Sequence, residues 1–144
     1  MVPFRLLAPE RQSWHKVGVR LMKKKLRILA VDDEEEIAEA IAYLLEAPNR
    51  TIAVAKDGKE ALESAAREKF DIIITDHRMP RGGGLELVRQ LRQREYQGKI
   101  VLISAYLSPE HIGAYEELGV DEIVGKPFES KELREVIEKL EKEI

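Results

Sequence analysis

From residue 26 onward, the chain alternates five times between short apolar runs and longer segments with helical periodicity. The runs have the length of strands, and residues 71–75 and 99–103 have the composition of strands buried on both faces. The intervening segments repeat apolar residues three and four positions apart, which is typical of one buried helix face. Five such units predict a single α/β domain, with a parallel sheet covered by helices on both faces.

The boundaries of these elements follow from the same pattern. We expect strands at residues 26–31, 51–55, 71–75, 99–103 and 120–124. The predicted helix faces consist of Ile37, Ile41, Leu44 and Leu45, then Ala61, Leu62, Ala65 and Ala66, then Leu85, Val88 and Leu91, then Ile112, Tyr115 and Leu118, and finally Leu133, Val136, Ile137 and Leu140. Pro48 and Gly119 end two of these helices, and Gly82–Gly84 predicts a loop.

Composition restricts the class of protein. The chain has 144 residues, of which 44% are hydrophobic, enough for one core. It contains no cysteine, which excludes disulfides, thiol catalysis and cysteine-ligated metals. Its net charge of -3 argues against a strongly basic nucleic-acid binder. No apolar run approaches the length of a membrane span. We therefore expect a soluble protein with no direct nucleic-acid or membrane contact.

The first residues differ from the rest of the chain in charge. Residues 1–25 contain seven Lys or Arg and one acidic residue, so the remainder is acidic. They lack the continuous apolar core of a secretory signal. We predict a basic, disordered leader at 1–24 and one domain at 25–144. Met22 is a plausible natural start, which would make residues 1–21 an upstream extension; a basic docking tail is the alternative.

Polar residues follow four of the five predicted strands. Asp32 and Asp33 follow the first strand, Asp76 the third, Ser104 the fourth and Lys126 the fifth. In open α/β sheets, ligands bind beyond the carboxyl ends of the strands, at the topological switch point. If the strand order is 2-1-3-4-5, the first and third strands are neighbours. The three carboxylates then converge on one pocket, which the lysine and the hydroxyl approach from the other side.

Three neighbouring carboxylates predict a bound divalent cation, because they repel one another when all are ionised. Mg²⁺ prefers oxygen ligands and shares them with phosphates. An aspartate oxygen can also act as a nucleophile that forms an acyl phosphate. Lys126 can pair with an aspartate or an anion, and Ser104 can donate a hydrogen bond to an anionic oxygen. The pattern favours phosphoryl transfer to a carboxylate, assisted by metal and lysine charge.

Each signal alone also has a purely structural explanation. The acidic run at residues 32–36 is typical of a helix start, which the helix dipole favours. Asp76 could cap a turn, and Lys126 could be a solvated loop residue. Gly82–Gly84 lacks the spacing of a phosphate-binding loop. The functional interpretation therefore depends on four strand ends supplying the required groups together.

The segments that carry these groups resemble the receiver domain of two-component response regulators. They are Ile28–Glu34, Asp71–Pro80, Gly84–Leu87, Ile103–Ala105 and Gly125–Phe128. The resemblance covers about residues 25–144 and implies a flavodoxin-like fold with strand order 2-1-3-4-5. It also implies a cytoplasmic signalling switch that catalyses only its own phosphorylation and dephosphorylation, and is not otherwise an enzyme.

The resemblance further implies a role for each residue of the site. Asp76 would be the phosphoacceptor. Asp33 would bind Mg²⁺ directly and Asp32 mainly through water, and the backbone carbonyl of Arg78 would complete the metal ligands. Ser104 would supply the hydroxyl that follows the phosphoryl group on activation, and Lys126 would contact a phosphoryl oxygen. The implied phosphate donor is a phosphohistidine on a sensor histidine kinase or a histidine phosphotransfer protein.

The output of such a domain is implied less directly. Ile123 stands where a Tyr or Phe often acts as a rotating switch, so we expect activation to move the loop after the fourth strand without that ring. The expected surface for a downstream protein consists of the fourth helix, fifth strand and fifth helix, about residues 109–143; an ordinary solvated face is the alternative. Dimerisation on phosphorylation is left open. Only 18 residues follow Lys126, so we expect a stand-alone receiver or one cut from a longer chain.

Two other functional classes compete with this interpretation. The first is a pseudo-receiver, an interaction module that accepts no phosphate; the intact acidic residues, Ser104 and Lys126 argue against it. The second is a hydrolase with an aspartate nucleophile. Such enzymes usually carry a second aspartate two residues later, where this chain has Arg78.

Overall fold

The structure, a computed structural model, describes residues 25–144, and the predictions for residues 1–24 lie outside this part of the chain. Within it, five strands alternate with five helices. The strands are β1 (Leu26–Val31), β2 (Arg50–Ala55), β3 (Ile72–Asp76), β4 (Lys99–Ser104) and β5 (Glu122–Gly125). The helices are α1 (Glu35–Leu45), α2 (Gly58–Arg67), α3 (Gly83–Gln93), α4 (Pro109–Glu117) and α5 (Ser130–Lys142). None of these helices combines the length and the apolar character needed to cross a bilayer.

All five strands are parallel and lie in the order β2-β1-β3-β4-β5, which confirms the predicted fold class. Val31 of β1 lies opposite Thr75 of β3. Ser104, at the end of β4, lies opposite Gly125, at the end of β5. The carboxyl ends of β1, β3, β4 and β5 therefore meet along one edge of the sheet.

Two apolar layers hold the sheet between the helices. Every residue of β3 is buried, and successive side chains point to opposite faces. Ile72 and Ile74 belong to the layer shared with α1 and α5. Ile73 belongs to the opposite layer, which includes buried residues of α2, α3 and α4. Because both faces of β3 are covered, the position of its last residue, Asp76, is fixed by the core.

The structure differs from the predictions around α4. Strand β5 begins two residues later than expected, because the Val120 amide bonds to the Tyr115 carbonyl at 3.1 Å and closes the end of the helix. Tyr115 is fully buried, but Ile112, predicted on the same face, is 37% exposed. The side of α4 that packs on the core is therefore narrower than its apolar pattern indicates.

Arg92 of α3 connects two chain segments at the amino end of β4. Its Nε and Nη2 atoms donate to the carbonyls of Leu118 and Gly119, at 2.7 and 2.8 Å. Its Nη1 atom donates to the carbonyls of Tyr96 and Gly98, at 2.7 and 3.2 Å. Carbonyl groups at helix ends lack partners within the helix. Arg92 therefore satisfies the carboxyl end of α4 and attaches it to α3.

We expect Arg92→Ala to lower the free energy of unfolding by about 2–4 kcal/mol, because several partly buried carbonyls lose a charged donor. Arg92→Lys should recover only part of this loss, since one ammonium group cannot reproduce the planar fork. Urea denaturation measures both effects. The control is Arg89→Ala on the same helix, whose exposed pair with Glu86 at 3.0 Å contributes less than about 0.5 kcal/mol. Equal losses for the two alanine variants would contradict the prediction.

Candidate functional site

Asp32, Asp33 and Asp76 meet at the carboxyl edge of the sheet. Each offers a carboxylate oxygen, and these oxygens lie within 4.8 Å of one another. The side chains of Asp32 and Asp76 are only 3% and 11% exposed, whereas Asp33 is open to solvent. The pairing of β1 with β3 brings these carboxylates together. Because two of them are buried and Asp33 is exposed, the site is accessible to solvent from the side of Asp33.

Asp32 is the most deeply buried of the three carboxylates. Its Oδ1 atom accepts a hydrogen bond from the Glu34 amide at 2.9 Å. Burial raises the pKa of Asp32, and the neighbouring charge of Asp76 raises it further, while the Glu34 amide and Lys126 lower it; the net pKa is raised. Keeping Asp32 ionised therefore costs free energy, and a nearby cation would reduce that cost.

The carboxylate of Asp76 is held at both oxygens. Oδ1 accepts from the Arg78 amide at 3.2 Å, and Oδ2 accepts from Lys126 Nζ at 2.8 Å. The preceding residue adds a further contact, since Thr75 Oγ1 donates to the Asp76 carbonyl at 3.0 Å. These contacts fix the orientation of the carboxylate at the end of β3.

Lys126 contacts two of the three aspartates. Its Nζ lies 2.8 Å from Asp76 Oδ2 and 3.7 Å from Asp32 Oδ2. Burial lowers the pKa of Lys126, but the hydrogen bond and charge of Asp76, together with the charge of Asp32, outweigh this effect and the net pKa is raised. The Lys126 amide donates to the Ser104 carbonyl at 2.8 Å, and the Lys126–Pro127 bond is cis. Because its pKa is raised, the Lys126 side chain remains a cation, and its Nζ faces the cluster.

Ser104 and Arg78 lie next to the carboxylates without bonding to them through their side chains. The hydroxyl of Ser104, buried at the end of β4, donates to the Tyr106 carbonyl at 3.1 Å. Arg78 reaches Asp76 only through its amide, and its side chain is exposed. The structure thus places both residues at the site, and their roles toward phosphate and metal stay predictions.

Gly83 and Gly84, which the sequence predicted only as part of a loop, pack closely against the backbone of the site. Gly83, the first residue of α3, has φ +66°, and a Cβ there would lie 2.5 Å from the His77 carbonyl. A Cβ on Gly84 would lie against the Asp76 carbonyl. Helix α3 therefore begins in direct contact with the backbone that follows β3. The run of three glycines soon after an acidic strand end was the available signal for this contact.

His77 is a second feature that sequence reasoning missed. Its Nδ1 atom lies 2.5 Å from Tyr115 Oη, and its ring centroid lies 4.6 Å from that of His111. Burial and the nearby His111 lower the pKa of His77, although Asp76 opposes this; burial also raises the pKa of Tyr115. A neutral imidazole and a protonated phenol therefore share this hydrogen bond near neutral pH.

The donor set of the cluster fits a hard divalent cation. Among the described residues, three carboxylates cluster here, and the one ammonium group, that of Lys126, lies within 4 Å of two of them, so negative charge is in excess. All the converging side-chain donors are oxygens, and the accessible side leaves room for water ligands. Mg²⁺ binds through one or a few carboxylates and keeps several waters. Asp32, Asp33 and Asp76 are therefore suited to hold it.

Residues 28–138 match the family model of the response regulator receiver domain. The alkaline phosphatase synthesis transcriptional regulatory protein PhoP of Bacillus subtilis is 38% identical over 112 residues, which are 78% of this chain and 46% of the relative. The chain thus spans about half the length of the curated relatives it matches.

Solved structures agree with this match. The response regulator TrrA of Thermotoga maritima, in complex with Mg²⁺–BeF, is 35% identical with a TM-score of 0.70, over 80% of this chain and 98% of that one. The chemotaxis protein CheY4 of Vibrio cholerae is 29% identical with a TM-score of 0.74, again over 80% and 98%. With the sheet order and the acidic edge already established, these likenesses show that the chain belongs to the response regulator receiver domains of two-component systems.

Proposed function

We propose that this receiver domain is a phosphorylation switch in which Asp76 accepts a phosphoryl group. The observation that carries the proposal is the position of the Asp76 carboxylate, which bonds to the Lys126 ammonium at 2.8 Å and has oxygens of two further carboxylates within 4.8 Å. Lys126 supplies positive charge to Asp76, and the acidic pair supplies ligands for a cation beside it. This combination suits transfer of an anionic group to an anionic acceptor.

The transfer is a substitution at phosphorus. An oxygen of Asp76 attacks the phosphorus of a phosphohistidine, a new P–O bond forms as the P–N bond breaks, and the leaving imidazole takes a proton from solvent. Mg²⁺ held by Asp32, Asp33 and Asp76 would neutralise charge on the phosphoryl oxygens. Lys126, released from the free carboxylate, contacts a phosphoryl oxygen. Water later cleaves the acyl phosphate, which releases inorganic phosphate and restores the Asp76 carboxylate.

Phosphorylation would redirect the hydroxyl of Ser104. A phosphoryl group adds negative charge and three strong acceptors beside it. If the Ser104 hydroxyl releases the Tyr106 carbonyl and donates to a phosphoryl oxygen instead, the loop that leads into α4 would move. Ile123 of β5 is 38% exposed and has no ring to rotate inward, so the loop itself transmits the change. These differential contacts would bias an equilibrium between two conformations.

The partners follow from this chemistry. We propose a sensor histidine kinase or a histidine phosphotransfer protein as the donor, and a downstream protein that contacts the surface at about residues 109–143. Both interactions suit a cytoplasmic relay. The protein would act as a switch with one phosphorylation per cycle and not as an enzyme that turns over a separate substrate. Dimer formation through the same surface is an outcome that size measurement of the phosphorylated form would detect.

We expect the intact mass of the protein to rise by one phosphate after incubation with Mg²⁺ and acetyl phosphate. The Asp76→Asn variant should show no gain, because the nucleophilic oxygen is lost, and EDTA should abolish the gain in the unaltered protein. The matched control is Asp57→Asn, since Asp57 also follows a strand at this edge but only caps α2 through the Glu60 amide at 2.8 Å.

A persistent gain in Asp76→Asn would contradict the assignment of the acceptor. If the unaltered protein gains no phosphate from acetyl phosphate, the assay is repeated with a phosphorylated histidine kinase. Continued absence of phosphate would favour the alternative function, a pseudo-receiver that acts by binding alone.

We expect Asp32→Asn to raise the free energy of unfolding by about 1 kcal/mol in metal-free buffer near neutral pH. The folded-state pKa of Asp32 lies above its ordinary value of 3.8, so the folded protein binds the proton more tightly than the unfolded chain, and ionised Asp32 reduces stability as pH rises. The variant removes that charge, and its advantage should disappear on acidification. Thermal or urea unfolding across pH measures this effect.

The same variant should lose most of the stabilisation that added Mg²⁺ gives the unaltered protein. Asp33→Asn serves as the comparison, because Asp33 is exposed: it should lose Mg²⁺ stabilisation without a comparable gain in metal-free buffer. Destabilisation by Asp32→Asn in metal-free buffer would show that burial of this carboxylate is already fully compensated.

We expect Arg78→Ala to shorten the lifetime of phosphorylated Asp76 several-fold. The exposed Arg78 side chain follows the acceptor by two residues, and its bulk would shield the acyl phosphate from water. Decay of the phosphorylated mass after removal of the donor measures the lifetime, and Arg89→Ala is the control for loss of an exposed arginine. Equal decay rates for Arg78→Ala and the unaltered protein would refute shielding.

A further inference from the structure

One hydrogen bond joins the buried side of α4 to the residue that follows Asp76. Tyr115 is fully buried, and its Oη lies 2.5 Å from His77 Nδ1. His111, one helical turn earlier on α4, packs its ring against the same imidazole, with centroids 4.6 Å apart. His77 therefore contacts α4 at two residues of one helix face.

The backbone of His77 is itself held tightly. Its amide donates to the Ile103 carbonyl in β4 at 3.1 Å, and its carbonyl accepts from the Gly84 amide in α3 at 2.9 Å. Because His77 directly follows Asp76 in the chain and its backbone bonds to both β4 and α3, the backbone that carries the imidazole has a fixed relation to the acceptor. A movement of α4 relative to Asp76 therefore breaks the bond to Tyr115 unless the imidazole moves with the helix.

Helix α4 has a second link to the site through the chain. The Ser104 hydroxyl donates to the Tyr106 carbonyl, and two residues later Ser108 caps α4 by accepting from the His111 amide at 3.2 Å. The loop thus controls the amino end of α4, while His77 contacts Tyr115 near its carboxyl end. A change at Ser104 alone would pull the helix against the Tyr115 contact.

We propose that Tyr115 is a positioning residue which, through its hydrogen bond to His77, couples the phosphorylation state of Asp76 to the position of α4. This inference rests on the proposed phosphorylation of Asp76. A buried hydroxyl is costly to leave without a partner, so the bond favours the helix position in which it forms. Charge added next to His77 alters that preference, which supplies the differential interaction that a two-state switch requires.

The test is hydrogen–deuterium exchange on the full chain, with and without Mg²⁺ and beryllium fluoride as a phosphoryl mimic. In the unaltered protein, we expect the mimic to change exchange across residues 109–117 by roughly fivefold or more, and in Tyr115→Phe by less than about twofold. Peptides that contain Asp76 should respond equally in both proteins, because the phenol does not touch the acceptor.

Tyr96→Phe is the matched control. Tyr96 is a partly buried tyrosine whose hydroxyl donates to the Phe70 carbonyl at 3.0 Å, before the amino ends of β3 and β4 and so at the end of the sheet away from the acidic edge. The Tyr96→Phe variant also loses one hydrogen bond of a tyrosine hydroxyl. If its α4 responds to the mimic as in the unaltered protein, a reduced response in Tyr115→Phe reflects coupling and not general destabilisation. His77→Phe removes the same bond from the other partner, should reproduce the loss, and decides the result if Tyr115→Phe fails to fold.

An unchanged response of α4 in Tyr115→Phe, or in His77→Phe, would overturn the coupling while leaving phosphorylation of Asp76 intact. If peptides that contain Asp76 show no response to the mimic in the unaltered protein, the phosphorylation switch itself is refuted, and the coupling with it. The two failures are therefore distinguishable in one experiment.

Discussion

The parallel pairing of β1 with β3 determines where the groups of the site lie. Val31 is opposite Thr75, so the next residues, Asp32 and Asp76, emerge side by side at one edge. A shift of the register by one residue would turn buried isoleucines of β3 toward the wrong layer and reverse the direction of Asp76. Two apolar layers oppose any such shift. Core packing therefore determines where the acidic residues lie, and the local structure around the carboxylates contributes little to that placement.

The cluster is electrostatically unfavourable without a cation. Lys126 offers one positive charge to Asp32 and Asp76, and the pKa of Asp32 is nevertheless raised, first by burial and then by its acidic neighbour. Hydrophobic burial elsewhere in the domain stabilises this arrangement. Ligands that reduce the repulsion bind the folded state selectively and so add to its stability. Under the proposed function, the repulsion that weakens the metal-free domain would make its stability depend on Mg²⁺.

The sequence predicted the sheet well because long apolar runs such as residues 72–74 leave few alternatives to a buried strand. The strand order came from the resemblance to receivers, since periodicity does not specify which strands pair. Local patterns failed where the packing of α4 decides: β5 starts late because the Val120 amide bonds to the Tyr115 carbonyl and closes the helix. The His77–Tyr115 bond joins residues 38 positions apart, and its existence depends on how α4 lies on the sheet. No pattern within either segment indicates it.

Helix α4 is held in a way that suits a moving element. Tyr115 is its one fully buried residue, so the apolar contribution to its position is small. Polar contacts also hold α4 in place. Arg92 bonds to the carbonyls just beyond the carboxyl end of α4, and Ser108 caps its amino end. A net contribution of about 1 kcal/mol for each hydrogen bond is small enough for a phosphoryl group to outweigh. Because Arg92 attaches the carboxyl end to α3, the proposed switch would displace mainly the amino end, beside the loop whose Tyr106 carbonyl accepts from Ser104.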